Sequence, residues 1–216
     1  MLLWQNEFLI GLRKFGVDMQ LAKKEESGLM RFLAKVLFFC PDFDKFVTTI
    51  RNVVYAPSLD NLGMETLAHE SQHVWDWSRW KLWYTIIYTF PQNLALLSLL
   101  SFWSLWWLGC LVFLAPMPAI GRTWVERRGY LVTLLVQRWR RGEVSQKDLL
   151  VNWRLERKEI LWAVSQFVGS SYYFMWPFQS SLEKWFDEEI ARNLEPKDLR
   201  MQWIKEFVEK RKGMTW

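Results

Sequence analysis

Residues Thr66–Trp77 read TLAHESQHVWDW. This stretch contains both histidines of the chain, His69 and His73, with Glu70 beside the first. On a helix, residues four apart lie one turn apart on one face. Two imidazoles so placed can point at a single metal ion. Glu70 lies about 100° around the axis from His69, within reach of a water on that ion. Asp76 falls one turn beyond His73 on the same face, where a carboxylate can accept a hydrogen bond from a ligand imidazole and fix its tautomer. The competing reading is two surface histidines on an amphipathic helix. Against it, the chain commits every histidine it has to this motif, and the motif sits where a helix is expected after a β-hairpin.

The arrangement suits metal-assisted hydrolysis. Zinc polarises a scissile carbonyl and lowers the pKa of its bound water to about 7. A glutamate in the position of Glu70 takes that water's proton and passes it to the leaving amine. A third ligand is required. The position six residues after His73 is Arg79, so a histidine cannot serve there. The third ligand is then a carboxylate or a water. Glu126, in RTWVERRGY, is the leading candidate; Glu156, Glu159 and Glu183 are the alternatives.

The segment TTIRNVVYAPSLDNLGMETLAHESQHVWDW resembles the core of small gluzincin-type zinc metallopeptidases of the HExxH…E kind. In that group a short strand pair precedes a helix of this type, and a glutamate on a later helix completes the site. ERRGY at 126–130 matches the first Glu and the aromatic position of the later motif and departs from it at Arg128. The resemblance covers about residues 46–80 and 120–132. It implies a zincin-like fold, zinc bound by His69, His73 and Glu126, Glu70 as general base, and Tyr130 packed or hydrogen-bonded near the metal ligand. It also implies a peptide or protein substrate, and an origin among compact proteins often encoded by bacteriophages. An oxyanion donor is needed as well. Tyr172 or Tyr173, in GSSYYFMWPF, would supply it by folding back, although the same aromatic cluster also reads as core.

Outward from the motif, the pattern predicts a mainly α, α+β chain forming one domain over 1–216. Helices are expected over 3–15, 28–39, 123–141, 146–168, 180–193 and 197–211. FVTTI (46–50) and VVYAP (53–57) are rich in β-branched and aromatic residues and flank a two-residue Arg51-Asn52 turn, so they read as a hairpin. In a fold of the kind the resemblance implies, the strand at 53–57 would border the cleft and offer its edge to an extended peptide.

Residues 82–121 carry no charge. The leg 94–115 alone would span about 33 Å as a helix, enough to cross a bilayer. A single crossing, however, would put the histidines and Glu126 on opposite sides. The sequence therefore predicts an αα-hairpin insertion: a first leg extending the motif helix to about residue 90, a turn at Pro91-Gln92-Asn93, and a returning leg with a stripe of Ser98, Ser101 and Ser104. Its apolar faces need cover from the later helices, from other subunits or from a membrane.

The chain carries 16 Trp, 15 Phe and 6 Tyr, a load suited to interfaces. Net charge is +5, with 138–141, 154–158 and 205–212 as the basic clusters. The last two are interleaved with Glu and read as solvated helix faces; no basic-aromatic module is present, so nucleic acid is not an expected partner. Cys40 and Cys110 read as buried free thiols. MLLWQNEFLIGLRKFG reads as an amphipathic helix without signal-peptide features, which points to the cytoplasmic side or a virion, with membrane association through 82–121 left open. Two functions follow. One is a zinc metallopeptidase. The other is a non-enzymatic assembly protein of a viral particle or membrane complex, homo-oligomeric or larger, with a structural or vestigial metal site.

Overall fold

A computed structural model describes residues 1–36, 43–90, 118–143, 153–169 and 175–213. The elements are α1 (Leu3–Arg13), β1 (Gln20–Lys23), α2 (Gly28–Val36), a 3-10 turn (Phe43–Lys45), β2 (Thr48–Ile50), β3 (Val53–Ala56), α3 (Met64–Trp80), α4 (Leu82–Thr89), α5 (Ile120–Arg141), α6 (Trp153–Val168), α7 (Gln179–Asn193) and α8 (Leu199–Glu209). The chain is thus mainly helical with one small sheet, in the α+β class expected from the pattern.

The hairpin forms where the β-branched residues predict it, with Thr48 opposite Tyr55 and Ile50 opposite Val53. Arg51 takes φ 58° in the two-residue turn, the left-handed geometry such tight connections demand. One strand escapes the sequence pattern. QLAK (β1) lies parallel to β3, from Gln20 opposite Val53 to Lys23 opposite Ala56, giving the order β1-β3-β2. Its residues have weak strand preference, so pairing with β3 sets its conformation. This corrects the expectation for the strand at 53–57. β3 is central and paired on both sides; β2 is the strand that packs on α3.

Buried apolar side chains form a connected core that includes Phe8 and Leu12 of α1, Val54 of β3, and Leu67 and Ala68 of α3. It continues through Leu134 and Trp139 of α5 and Phe167 of α6 to Phe186 of α7 and Ile204 of α8. α3 and α5 make the most extensive helix pair in the fold. α5 ends with Arg138, Arg140 and Arg141 in its last turn, complementing the dipole, and stops at Gly142 in a left-handed conformation, φ 85°. Asp198 caps α8 by accepting from the Met201 N–H at 3.0 Å.

α3 is entered through a tied-down loop. The buried Gln5 side chain of α1 donates to the Leu59 carbonyl at 2.7 Å and to the Leu62 carbonyl at 3.2 Å. Its own carbonyl accepts from the Leu2 N–H at 2.8 Å. One amide thereby ties three backbone groups together, the Leu62 carbonyl among them in a buried bond.

α3 does not run on to residue 90 as the sequence suggested. It breaks at Lys81, whose φ of 43° and ψ of −111° are not helical, and α4 starts a new axis. α4 then packs on α5. Tyr84, Ile87 and Tyr88 are partly covered, while Leu82, Trp83, Ile86 and Phe90 stay exposed. The proposed hairpin turn at 91–93, the leg 94–115 and the serine stripe lie outside the described residues. Among those described, no helix is long and apolar enough to cross a membrane.

The α4–α5 approach depends on Gly121. A Cβ built there would sit 1.9 Å from the Ile87 carbonyl oxygen, a backbone atom that no rotamer change can move. Replacing glycine by alanine within a helix ordinarily gains about 1 kcal/mol. Here overpacking, worth about 1–3 kcal/mol, outweighs that gain. Gly121→Ala should therefore lower the thermal midpoint; a midpoint equal to or above wild type in a melting experiment would show that the two helices are not held at this distance.

Candidate metal centre

His69 and His73 stand one turn apart on α3, and Glu126 projects from the facing turn of α5. The two Nε2 atoms are 3.0 Å apart, and each lies 3.5 Å from Glu126 Oε2. Ligands held at about 2.0–2.1 Å around a tetrahedral ion are separated by about 3.3–3.4 Å. Three donors spaced in this way have nearly the required geometry. Among the described residues, this is the one group of histidine, cysteine and carboxylate side chains able to hold a metal ion. The sequence alternatives are placed elsewhere. Glu159 pairs with Arg141 at 2.5 Å, and Glu183 pairs with Arg157 and accepts from Gln179 at 2.7 Å. The Glu156 side chain lies outside the described residues.

Two of the three side chains, His69 and Glu126, are oriented by a neighbour. His69 Nδ1 is 3.2 Å from Thr133 Oγ1, and the Thr133 hydroxyl donates to the Gly129 carbonyl at 3.4 Å. With its proton committed to that carbonyl, the hydroxyl oxygen accepts from His69 Nδ1–H. This tautomer leaves the Nε2 lone pair facing the centre. Tyr88 donates to Glu126 Oε1 at 2.6 Å, so the carboxylate offers its other oxygen to the histidines. Arg122 Nε stands 4.0 Å from the same Oε1.

Gly129 makes room for the ring. A Cβ there would lie 2.7 Å from both Cε1 and Nε2 of His69. The Tyr130 ring meets His69 edge-on, centroids 4.9 Å apart at 89°. ERRGY thus contributes three things to one imidazole and its partner: a carboxylate, an empty space and an aromatic wall.

Asp76 is buried on α3, but its contacts lead away from the imidazoles. It accepts from Gln72 Nε2 at 3.0 Å and pairs with Arg128 at 3.0 Å. Its second oxygen and His73 Nδ1 are both buried without a hydrogen bond. Arg128, the residue that departs from the later gluzincin motif, is therefore what holds Asp76. Tyr172 and Tyr173 lie outside the described residues.

Glu70, also buried, accepts from the Thr49 hydroxyl of β2 at 2.5 Å. With His69 it lines an open cavity of about 410 Å³, walled by Phe46, Val47, Tyr130 and Trp162. Glu70, one imidazole of the cluster and the segment leading into the edge strand therefore share one cleft.

The electrostatics of the cluster are those of a buried carboxylate facing two imidazoles. Burial works against charge on His73, yet the adjoining Glu126 carboxylate prevails and lifts its pKa to about 9. Burial alone would raise Glu126, but the two histidines hold it well below the usual carboxylate range. Burial, reinforced by the Glu126 charge, raises Tyr88 well above an ordinary phenol, so it remains a donor. Tyr84 is raised as well, by burial and then by the charges of Glu126, Asp76 and Glu70.

Thr49, Tyr88, Gly129 and Thr133 were not singled out from the sequence. For Tyr88 a signal exists: Tyr84 and Tyr88 are spaced by four in the otherwise apolar LWYTIIYT, and two hydroxyls on one helical face ask for a polar partner.

Comparison of the chain with protein-family models, with curated proteins and with solved structures found no match.

Two outcomes follow from this geometry. Tyr88→Phe removes the hydrogen bond that aims Glu126, so metal affinity should fall about 10–100-fold in a competition titration; unchanged affinity would mean the hydroxyl plays no orienting part. In the metal-free protein His73 is protonated below about pH 9, and a metal must displace that proton to use Nε2. Apparent metal affinity should therefore climb as pH rises toward 9. Calorimetry in buffers of different ionisation enthalpy should find about one proton released per ion near pH 7; uptake or none would contradict the charged state of His73.

Proposed function

We propose that this chain is a zinc-dependent metallopeptidase of the gluzincin type, with His69, His73 and Glu126 as the zinc ligands. The observation that carries the reading is the spacing of their three donor atoms, with Glu70 on the same cleft. Two imidazoles and one carboxylate form the donor set that suits catalytic zinc, which keeps a further position open for water or substrate. When bound, zinc supplies Lewis acidity and a water of lowered pKa.

The chain's own residues do the rest. The Thr49 hydroxyl fixes one oxygen of Glu70 and so sets the plane of the carboxylate. Glu70 takes a proton from the attacking water and returns it to the amine nitrogen as the peptide bond breaks. Thr133 and Tyr88 hold His69 and Glu126 in position before substrate arrives, so little reorganisation is needed at the moment of reaction. The edge of β2 and the apolar walls of the 410 Å³ cavity give an extended peptide a place beside Glu70.

A second reading is a non-enzymatic assembly component with a structural metal. It draws support from α4, where Leu82, Trp83 and Phe90 are 71%, 68% and 46% exposed and form an apolar outer face next to the metal centre.

Glu70→Gln separates the two readings. It preserves the volume and the hydrogen bond from Thr49 while removing the base. About one zinc per chain should be retained, as measured by elemental analysis, and hydrolysis of a mixed peptide library should fall about 10²–10⁴-fold. His69→Ala should lose the metal. Undiminished cleavage by the glutamine variant would sink the peptidase mechanism; zinc bound by a wild-type chain that cleaves nothing and assembles into large oligomers would favour the second reading.

A further inference from the structure

A second cavity of about 430 Å³ opens between α3, α5, α7 and the start of α8, and shares no lining residue with the cleft beside Glu70. Four arginines line it: Arg79, Arg127, Arg128 and Arg200. Each guanidinium lies on a tryptophan face. Arg79 and Arg200 are 4.0 and 4.8 Å from the Trp75 ring centre, Arg128 is 4.9 Å from Trp124, and Arg127 is 4.5 Å from Trp185. Stacking of this kind fixes the guanidinium plane and leaves its N–H edge to meet another group.

The carboxylates nearby are largely committed. Glu189 is engaged by Arg192 at 2.7 Å and by Asn193 at 3.1 Å. Asp198 caps α8 and stands 3.8 Å from Arg200 Nε, beyond hydrogen-bond distance. Asp76, outside the lining, takes Arg128. Arg200 is the telling residue. It is 4% exposed, and its Nη2 donates to Gln72 Oε1 at 2.6 Å. Its Nε and Nη1, and Arg127 Nε, are buried with no hydrogen bond. Buried charged donors call for acceptors, and the cavity these arginines line is where one can sit. Burial lowers the pKa of Arg200 to about 10, an effect that an anion in the cavity relieves.

We propose that this cavity is a binding site for a small ligand bearing a phosphate or carboxylate group, held by Arg200 and Arg127 at its inner wall and by Arg79 at its mouth. Planar guanidinium edges match the paired oxygens of either group. The proposal is independent of what the metal centre does.

The test is calorimetric titration of the full chain with inorganic phosphate and, separately, with succinate, against potassium chloride at equal ionic strength. At least one of the two anions should saturate at one per chain, and whichever binds more tightly assigns the class. The double variant Arg79→Gln/Arg127→Gln should weaken that binding at least tenfold. Arg79 is exposed and Arg127 partly so, and this pair therefore tests the site without emptying the core. Arg200→Gln should abolish binding if circular dichroism shows it folded. His69→Ala should leave anion affinity unchanged. The proposal is overturned if neither anion saturates, if the double variant binds as wild type does, or if affinity is lost with His69, which would place the anion at the metal.

Discussion

Where α3 and α5 meet at the His69 ring, a side chain is missing. Gly129 leaves room for the His69 ring, which fills the space a Cβ would need. From that contact the rest of the centre follows. Three residues before Gly129, on the same face of α5, Glu126 is brought level with the two Nε2 atoms. Four residues after it, Thr133 is brought to Nδ1. One helix therefore supplies the third ligand, the clearance and the orienting hydroxyl, and a small change in crossing distance would move all three together. The centre depends on the packing of two helices, and that packing is set by the surrounding core.

Close packing also makes the cluster an electrostatic problem when it is empty. Glu126 and His73 are both almost fully buried, and each would be expensive to ionise alone. Together they form an internal pair, with the carboxylate held charged and the imidazole held protonated. A metal ion held there would take over the role of the proton. The same logic governs Asp76, where Arg128 and Gln72 compensate a buried charge on the other side of α3. α3 is thus lined by charge pairs on two sides, which explains how a helix carrying Glu70, His73 and Asp76 can lie largely inside the protein.

Much of this was legible in the sequence because its signals are local. His69-Glu70-x-x-His73 is a helical spacing, and the hairpin before it is a matter of β-branched residues around a short turn. Glu126 could be ranked first because it opens a polar helix after an uncharged run. What could not be read depends on contacts between distant segments. β1 is a strand because β3 has an edge for it. The break at Lys81 has no proline or glycine to announce it, and without it α4 could not turn Tyr88 toward Glu126. The expected role of Asp76 rested on helical phase, which is right; its partner is decided by Arg128, fifty-two positions further on, which no periodicity reveals.

The union of α1 with α8 bears on how the chain is made. Phe8 packs against Trp203 and Phe207, and Gly11 admits the Trp203 ring so closely that a Cβ would lie 1.9 Å from it. Glu7 and Arg211, 204 positions apart, pair beside them. During synthesis at about 5–20 residues per second, α1 therefore waits about 10–40 s for its partner helix. Until then Phe8 and Leu12 lack much of the cover they have in the finished fold, and the Gln5 tie at the mouth of α3 hangs on a helix not yet docked. Such an arrangement makes the docking of α1 a late, long-range step of folding.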